Sequence, residues 1–404
     1  MNVRFYTKEY PPNVYGGAGV HIEYLAREMA ELAKVDVRSF GEQDISNDSL
    51  SVLGFDADPL KVENTQPELQ GIFKTLSTCV QMNTGPCDAD VVHCHTWYAQ
   101  FAGILSKLCY GTPLVVTTHS LEPLRPWKKE QLGKGYDASS WIEKTAIEMA
   151  DAVIAVSEET KEDVFTHFNV DKEKVHVIYN GIDLAEYQPT EATSALEKYG
   201  VNPNVPYVLF VGRITRQKGI IHLLNAIKYL NDGIQVVLAA GAPDTKEIGE
   251  EMKLKVEEIQ KVRDGVIWIP EMLSKPDVIQ LYSHAAVFCC PSIYEPFGII
   301  NIEAMACHTP VVASSVGGIK EIVVEGETGL LIPVEQEQVP PFEAAKPDVF
   351  AQDLANGINK VIEDEELQKK MAEKGRKRVE DLFNWKTIAK ETYQLYQTLI
   401  ENEK

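Results

Sequence analysis

Two kinds of segment are missing from this sequence of 404 residues. The opening stretch, MNVRFYTKEYPP, has no basic flank followed by an apolar signal core. No later stretch approaches the roughly 20 consecutive apolar residues that a membrane-spanning helix needs. We therefore expect a cytoplasmic protein that does not bind membranes.

Cysteine is scarce, and its spacing fits no cysteine-based scaffold. The seven cysteines are an odd number and include no CxxC pair, which excludes both a disulfide framework and a zinc ribbon. Cys289, Cys290 and Cys307 lie among apolar residues, and we expect them to be small core side chains.

Positive charge is also in short supply. Sixty acidic side chains against 39 basic ones give a formal net charge of -21. Such a surface repels the phosphates of nucleic acids and the headgroups of anionic lipids. The sequence therefore predicts no nucleic-acid partner, although a local basic pocket stays compatible with it.

Short apolar runs that alternate with amphipathic helical patterns indicate the fold class. The runs include VRFYT, DVVHCH and PLVVTTH in the first half, and YVLFVG, IQVVLAAG and AVFCCPS in the second. Strands that are apolar on both faces are typical of parallel sheets covered by helices on both sides. We predict an α/β protein with two doubly wound domains, residues 1–188 and 189–384, followed by a helix over 385–404.

A glycine loop follows the first predicted strand. Gly16, Gly17 and Gly19 precede a helical pattern, and a glycine loop that opens a helix presents backbone N–H groups to an anion. The spacing is not the GxGxxG of dinucleotide-binding oxidoreductases, so that class is disfavoured.

A basic pair follows the strand YVLFVG. Arg213 comes directly after that strand, and Lys218 stands at the start of the next helix. Basic residues oppose the dipole at a helix N-terminus, so a structural purpose is disfavoured. A guanidinium and an ammonium at this place can neutralise a diphosphate.

Two glutamates flank a Phe-Gly turn in EPFGIINIE. Glu303 is expected in the first turn of a helix that begins near Ile300, where it could accept hydrogen bonds from the vicinal hydroxyls of a ribose. Glu295 is expected in the preceding loop.

These motifs together resemble the retaining glycosyltransferases of GT-B architecture that carry an E-x7-E signature. The segments TKEYPPNVYGGAGVH, HCHTWYAQ, VGRITRQKG and VVASSVGGIKEIVVEGETGLLIP occur in that family's order. The segment that begins TTHSLEPLRPWKK is most similar to actinobacterial-type glycogen synthases. The resemblance implies two Rossmann-like domains facing across a cleft, with the acceptor on the first and the nucleotide-sugar donor on the second. It also implies that the last helix crosses back to the first domain.

The resemblance implies a role for each matching residue. The implied catalytic residues are His119, Glu295, Arg213 and Lys218. The implied donor-binding residues are Gly16, Gly17, Arg213, Lys218, Gly298, Ile299, Ile300, Glu303, Thr328 and Leu330. The implied acceptor-binding residues are Glu9, His95, Trp97 and Arg125.

One position departs from the pattern of the other common glycogen and starch synthases. Those enzymes carry a Lys-Thr-Gly-Gly-Leu loop, whereas Tyr15 precedes Gly16 here and no lysine stands in that place. Contacts from this loop to the donor phosphates are therefore expected from the backbone only.

No metal or cofactor is expected. His93 and His95 point to the same side of a predicted strand, but the sequence shows no third ligand beside them.

The predicted activity is transfer of glucose from a nucleotide sugar, ADP-glucose in the first instance, to the end of an α-1,4-glucan. The alternatives are a maltose 1-phosphate synthase that uses glucose 1-phosphate, another hexosyltransferase of this family, and a non-catalytic sugar-nucleotide binding protein. The donor base and the oligomeric state stay open.

Overall fold

A computed structural model describes residues 1–14, 16–56, 65–85, 87–339 and 342–402. The chain divides into two compact units. The first unit comprises Met1–Gly181 together with Trp385–Lys404, and the second comprises Ile182–Asn384.

The first unit is built on an eight-stranded sheet. Its strands are β1 (Asn2–Tyr6), β2 (Lys34–Phe40), β3 (Asp44–Ser46), β4 (Leu50–Phe55), β5 (Val91–His95), β6 (Leu114–Thr118), β7 (Ala152–Ala155) and β8 (Val175–Val177). They lie in the order β3-β4-β2-β1-β5-β6-β7-β8, and every pair is parallel except β3 with β4. Its helices are α1 (Gly17–Met29), α2 (Pro67–Gln81), α3 (Trp97–Tyr110), α4 (Lys128–Leu132), α5 (Gly135–Met149), α6 (Glu158–His167) and the last helix of the chain, α15 (Trp385–Asn402).

The second unit contains a six-stranded sheet that is parallel throughout. Its strands are β9 (Tyr207–Arg213), β10 (Gln235–Gly241), β11 (Val266–Ile269), β12 (Val287–Cys290), β13 (Val311–Ser314) and β14 (Gly329–Ile332), in the order β11-β10-β9-β12-β13-β14. Its helices are α7 (Ser194–Tyr199), α8 (Ile220–Ala226), α9 (Lys246–Gln260), α10 (Lys275–His284), α11 (Ile299–Ala306), α12 (Ile319–Ile322), α13 (Pro347–Glu363) and α14 (Glu365–Leu382).

The predicted fold class is confirmed, and burial explains it. Every residue of β5, β6, β10 and β12 is buried, as expected for parallel strands with helices on both faces. Cys289, Cys290 and Cys307 are buried free thiols, in agreement with their expected place in the core. Burial raises the pKa of each of these three thiols, which keeps them protonated and unreactive.

The chain order of the strands creates a switch point in each sheet. In the second unit the order reverses between β9 and β12, and in the first unit it reverses between β1 and β5. Loops that follow the two strands at such a point diverge to opposite faces of the sheet and leave a crevice at its carboxyl edge. The residues just beyond these four strands are therefore the ones that the fold favours for ligand binding.

Helix α15 belongs to the first unit, where it packs against α1. Trp385, Ile388 and Tyr396 are buried and join the core formed by β1 and α1. The Trp385 ring stacks on the Tyr24 ring with 6.0 Å between centroids. Among the described helices, none is long and apolar enough to cross a membrane.

Candidate active site

A buried ion pair joins the two loops at the switch point of the second unit. Lys218 lies between β9 and α8, and Glu295 lies between β12 and α11. Lys218 Nζ is 2.6 Å from Glu295 Oε2, which also accepts a hydrogen bond of 3.2 Å from Ser292 Oγ. Burial is the largest single influence and disfavours the charged ammonium, but attraction to Glu295 and Cys290 together with the hydrogen bond to Glu295 raises the pKa of Lys218. The structure therefore brings together two residues that the sequence placed 77 positions apart.

Two glycines hold these loops close to each other. Gly219 has φ +60°, and a Cβ there would lie 2.0 Å from the carbonyl oxygen of Pro291. Gly317 has φ +53°, and a Cβ there would lie 1.9 Å from the carbonyl oxygen of Glu295. A side chain at either position would push away the backbone that carries Glu295, in addition to the strain of a left-handed conformation.

Arg213 is placed at the end of β9, but its partner differs from that of Lys218. Its Nη1 donates to Asp244 Oδ1 at 2.7 Å, and Asp244 follows the neighbouring strand β10. Its positive charge still acts on Lys218, whose pKa it lowers as one of the smaller influences. The structure therefore keeps both cations at the carboxyl edge of the second sheet, each beside a carboxylate.

Glu303 lies on α11 and faces two tyrosines of the same unit. Its Oε1 accepts from the Tyr187 hydroxyl and its Oε2 from the Tyr282 hydroxyl, both at 3.1 Å. Burial raises the pKa of Glu303, while the two hydroxyls stabilise its charged form and oppose that rise. The prediction of a first-turn position was wrong, because α11 begins at Ile299 and Glu303 is its fifth residue. Its carboxylate is held by side chains instead of by the first-turn amides.

The turn between the two glutamates has the geometry of a helix start. Gly298 is the N-cap of α11 with φ +106°, and Ile299 and Ile300 are the first helical residues. The N–H groups of a first helical turn have no partner inside their own helix and can face a ligand. Thr328 and Leu330 are both buried, and Thr328 Oγ1 accepts the Val324 N–H at 2.9 Å.

The glycine loop of the first unit is fastened by Glu9. Its Oε2 accepts the backbone N–H of Gly16 at 2.7 Å, and Gly16 is the N-cap of α1. Gly17 is the first residue of that helix. A Cβ at Gly19 would lie 2.7 Å from the same Glu9 oxygen, so the small residue is required there. Tyr15, at the position where the related loop has lysine, lies outside the described residues.

Four histidines form a cluster beside the carboxyl ends of β5 and β6. His93 is the third and His95 the last residue of β5, His119 follows β6, and His21 comes from α1. His95 Nδ1 lies 3.1 Å from His119 Nε2. The ring centroid of His21 is 5.2 Å from that of His95 and 4.7 Å from that of His119. His119 and His21, which are distant from His95 in the sequence, therefore supply the further imidazoles that the sequence alone did not show beside it.

Burial keeps this histidine cluster uncharged. It lowers the pKa of His21 to about 4 and holds the pKa values of His93, His95 and His119 well below their ordinary value. Repulsion among the rings lowers the values of the last three further. At neutral pH each ring therefore offers one N–H donor and one bare nitrogen.

His93 differs from its neighbours because both of its nitrogens are bonded. Nδ1 meets the Tyr396 hydroxyl at 2.5 Å, and Nε2 meets Thr117 Oγ1 at 2.7 Å. Tyr396 belongs to α15, so the last helix reaches the base of the cluster within the first unit. His93 is a structural member of the group, whereas the nitrogens of His95 and His21 are only partly engaged.

Trp97 is a core residue in this structure. Its side chain is buried in a small cluster with Ile72 and Ile142, and its ring stacks on Tyr98 with 4.0 Å between centroids. A buried indole cannot stack on an acceptor sugar, so the acceptor-binding role that the resemblance implied for Trp97 does not fit this structure. Trp97 is the first residue of α3, and its apolar ring lies on the buried face of that helix.

Arg125 is tied to a pair of buried glutamates. Its guanidinium donates to Glu122, whose other oxygen accepts from Ser139 at 3.0 Å. Glu143 accepts the backbone N–H of Glu122 at 2.7 Å. Burial, followed by repulsion from Glu122, raises the pKa of Glu143 to about 8. Arg125 is therefore held by Glu122, which in turn contacts Ser139 and Glu143 of α5.

Comparison with known proteins identifies the family to which this arrangement belongs. The family model described as Glycosyl transferases group 1 matches residues 192–340, and that described as Glycosyltransferase Family 4 matches residues 15–186. The chain is 44% identical over 404 residues to an α-maltose-1-phosphate synthase of Mycolicibacterium smegmatis, with 98% of this chain and 99% of that protein covered. It belongs to the group 1 glycosyltransferases of GT-B fold.

Two further comparisons agree with this family. An α-maltose-1-phosphate synthase of Mycobacterium tuberculosis is 42% identical to this glycosyltransferase over 401 residues, with 98% and 99% of the two chains covered. Among solved structures, the sucrose-phosphate synthase of Thermosynechococcus elongatus superposes with a TM-score of 0.79 at 25% identity and full coverage of both chains. The two α-maltose-1-phosphate synthases correspond to the predicted alternative and not to a glycogen synthase.

Several residues of this glycosyltransferase site carry no local signal in the sequence. Asp244, Tyr187 and Tyr282 reach Arg213 and Glu303 from separate elements of the second unit. Helical spacing places His21 on the buried face of α1 with Ile22 and Leu25, but it does not reveal the ring that His21 faces. Only the assembled sheet order brings these side chains to the predicted ones.

Proposed function

We propose that this glycosyltransferase moves glucose from a nucleotide sugar to glucose 1-phosphate and so makes α-maltose 1-phosphate. The observation that carries the proposal is the 44% identity to an α-maltose-1-phosphate synthase along essentially the whole of both chains. ADP-glucose is the donor that we expect, and retention of the α configuration is part of the proposal.

The proposed reaction needs no nucleophile from the protein. The bond between the anomeric carbon and the diphosphate oxygen breaks, and a bond from that carbon to O4 of glucose 1-phosphate forms on the same face. The proton of O4 passes to the departing diphosphate. A group that stabilises the charge growing on the diphosphate lowers the barrier, because it acts more strongly in the transition state than in the ground state.

Lys218 and Arg213 are proposed to supply that stabilisation. Each now faces a carboxylate, Glu295 or Asp244, so each cation is already held at the sheet edge before a ligand binds. Such a preorganised cation costs little reorganisation when the leaving group departs. The first-turn amides of Ile299 and Ile300, which follow the N-cap Gly298, are proposed to add neutral donors to the same diphosphate.

Glu295 and Glu303 receive different proposed roles. Glu295 is proposed to lie near the anomeric carbon, where its negative charge favours the positive charge that develops as the bond breaks. Glu303 is proposed to bind the ribose, and each of its oxygens already accepts one tyrosine hydroxyl. A carboxylate oxygen has a second lone pair, so ribose hydroxyls can be accepted without displacing Tyr187 or Tyr282.

The first unit supplies the proposed acceptor groups. His119 is proposed to lie beside the reacting sugar as a neutral hydrogen-bonding group, in keeping with its lowered pKa. Arg125 is proposed to bind the phosphate of glucose 1-phosphate, since Glu122 and α5 hold its guanidinium in place. Glu9 is proposed to act through the glycine loop that it fastens. Thr328 and Leu330 are proposed to border the nucleoside through their backbone.

A panel of donors and acceptors tests the proposal. ADP-glucose, UDP-glucose and GDP-glucose are each offered with glucose 1-phosphate and with an α-1,4-glucan, and the products are separated and identified. We expect maltose 1-phosphate as the main product and a strong loss of turnover in Lys218→Met. Lys228→Met is the matched control, because Lys228 is an exposed lysine of the same unit. Glucan elongation without maltose 1-phosphate would support the glycogen synthase hypothesis instead, and no turnover with any pair would support a binding protein.

A further inference from the structure

Three histidines of the first unit converge without a carboxylate among them. One ring nitrogen each from His21, His95 and His119 lies within 4.8 Å of the other two. These residues come from α1, β5 and the segment after β6, so three separate elements bring their imidazole rings together. We call this set the trihistidine group.

Two of its nitrogens are buried without a hydrogen-bond partner. His21 Nε2 and His95 Nε2 are both in this state, although the two side chains are almost completely inaccessible to solvent. A buried polar atom without a partner costs free energy, so such atoms are uncommon and require an explanation. Both belong to rings of the trihistidine group.

The orientation of His21 is fixed from behind. Its Nδ1 lies 2.6 Å from Asn180 Oδ1, an oxygen that can only accept, so Nδ1 carries the proton and Nε2 presents its lone pair. A histidine that ligates a metal usually donates its other ring N–H to an oxygen in this way, which sets the tautomer and the ring plane. Asn180 therefore holds His21 in the form that a metal ion requires.

We propose that the trihistidine group binds one divalent transition-metal ion of the zinc type through His21 Nε2 and one nitrogen each of His95 and His119. Imidazole nitrogens suit Zn²⁺, Ni²⁺ and Cu²⁺, whereas Mg²⁺ and Ca²⁺ require oxygen ligands. Three protein ligands leave the fourth tetrahedral position for water or another small ligand. Zinc–nitrogen distances of about 2.0–2.1 Å place the ligand nitrogens about 3.4 Å apart, so the rings move inward and the His95–His119 hydrogen bond is exchanged for metal bonds.

The consequence for activity rests on the proposed function, in which His119 lies beside the reacting sugar. An ion held by His119 takes up one of its ring nitrogens and adds positive charge beside that sugar. Micromolar zinc should therefore inhibit glucosyl transfer, and a chelator should restore it. Binding of the ion itself does not depend on the proposed function, since it requires only the geometry of the first unit.

Direct measurement of metal binding separates the two questions. Chelator-treated protein is titrated with Zn²⁺ by calorimetry, and the zinc-loaded protein is studied by X-ray absorption. We expect one ion per chain, nitrogen ligands with imidazole scattering, and no saturable binding of Mg²⁺. The absence of stoichiometric zinc, or a sulfur ligand, would overturn the proposal without reference to any variant.

Variants locate the ion. His21→Gln removes one ligand and should weaken zinc binding at least about 100-fold, and Asn180→Leu should weaken it about 10- to 100-fold through the ring that it orients. His176→Gln is the control, because His176 lies on β8 of the same sheet outside the trihistidine group. Circular dichroism checks that each variant is folded. Unchanged zinc affinity in folded His21→Gln would refute the site.

The activity readout then distinguishes the two proposals. If zinc binds through histidines but no glucosyl transfer occurs with any donor, the proposed function fails and the metal site stands. If transfer occurs and zinc neither binds nor inhibits, the metal site fails and the proposed function stands. Zinc that binds through the trihistidine group without slowing transfer would refute the inhibitory role of the ion.

Discussion

The ion pair between Lys218 and Glu295 allows the sharpest prediction about stability. Both side chains are largely buried, with exposed fractions of 16% and 9%, and their charged atoms are 2.6 Å apart. At an effective dielectric constant of about 20, the attraction at this distance amounts to about 6 kcal/mol. Desolvation costs several kcal/mol for each ion and offsets most of that gain.

Removal of both partners should therefore cost less than the sum of the two single removals. Lys218→Met or Glu295→Gln alone leaves a buried charge without its counterion, and we expect a loss of about 3–5 kcal/mol in the free energy of unfolding. The double variant buries no unpaired charge. Its loss should be smaller than the sum of the single losses by about 2 kcal/mol, within the range seen for contacting residues.

Urea unfolding followed by fluorescence gives the free energies of unfolding of the parent protein, the two single variants and the double variant. Both substitutions lie in the second unit, so all four measurements compare the unfolding transition of that unit. The control cycle uses Lys228→Met and Asp348→Asn, an exposed pair of that unit with 3.4 Å between its charged atoms. Its coupling should be much smaller than that of the buried pair, because water screens the attraction between two exposed side chains. Additive losses at Lys218 and Glu295, within about 0.5 kcal/mol, would refute the buried pair on which the site is built.

Three further predictions concern Glu295, Glu143 and Gly317. Glu295→Gln should lower turnover by about 10²- to 10³-fold with little change in donor affinity, whereas Glu303→Gln should mainly weaken donor binding. Calorimetry measures the donor affinity of both variants, and steady-state kinetics measures their turnover. Equal effects of the two substitutions would contradict the two roles. The pKa of Glu143 is about 8 in the folded protein, so the free energy of unfolding should fall as pH rises from about 4.5 to 8, by at most about 1.4 kcal/mol per pH unit. Urea titrations at several pH values should show that Glu143→Gln removes this dependence, and an unchanged slope would contradict it. Gly317→Ala should lower turnover far more than Gly326→Ala. Both glycines have a positive φ, but only a side chain at Gly317 would meet the backbone of Glu295. Equal losses of turnover would mean that backbone strain at the glycine is the only effect.

The fold and part of the site could be predicted because they depend on local pattern. Apolar runs that are buried on both faces identify parallel strands, and ligand groups collect where those strands end. Lys218 and Glu295 follow β9 and β12, which are neighbours at the switch point, so their contact results from sheet order. Helix α11 begins one residue before the expected start near Ile300, which moves Glu303 from the fourth to the fifth helical position and out of the first turn. Helix ends are uncertain by one or two residues even when they are assigned from a structure.

The remaining part of the site could not be predicted because it depends on tertiary packing. The motif HCHTWY shows polar and aromatic residues together, but only the packing of α3 decides that Trp97 enters the core. His21 contacts His95 and His119 because α1 packs on the sheet, and no spacing in the sequence predicts this contact. Asp244 belongs to a segment without any recognisable motif, yet it pairs with Arg213.

A competition between the two acceptors tests the central claim most directly. The protein receives ADP-glucose with a ¹³C-labelled glucose ring, together with equal concentrations of unlabelled glucose 1-phosphate and an α-1,4-glucan. Mass spectrometry and NMR then locate the label. The account predicts a disaccharide phosphate whose labelled ring is the non-reducing one, joined by an α-1,4 bond, while the glucan stays unlabelled. Label found in the lengthened glucan, with glucose 1-phosphate left unreacted, would contradict it.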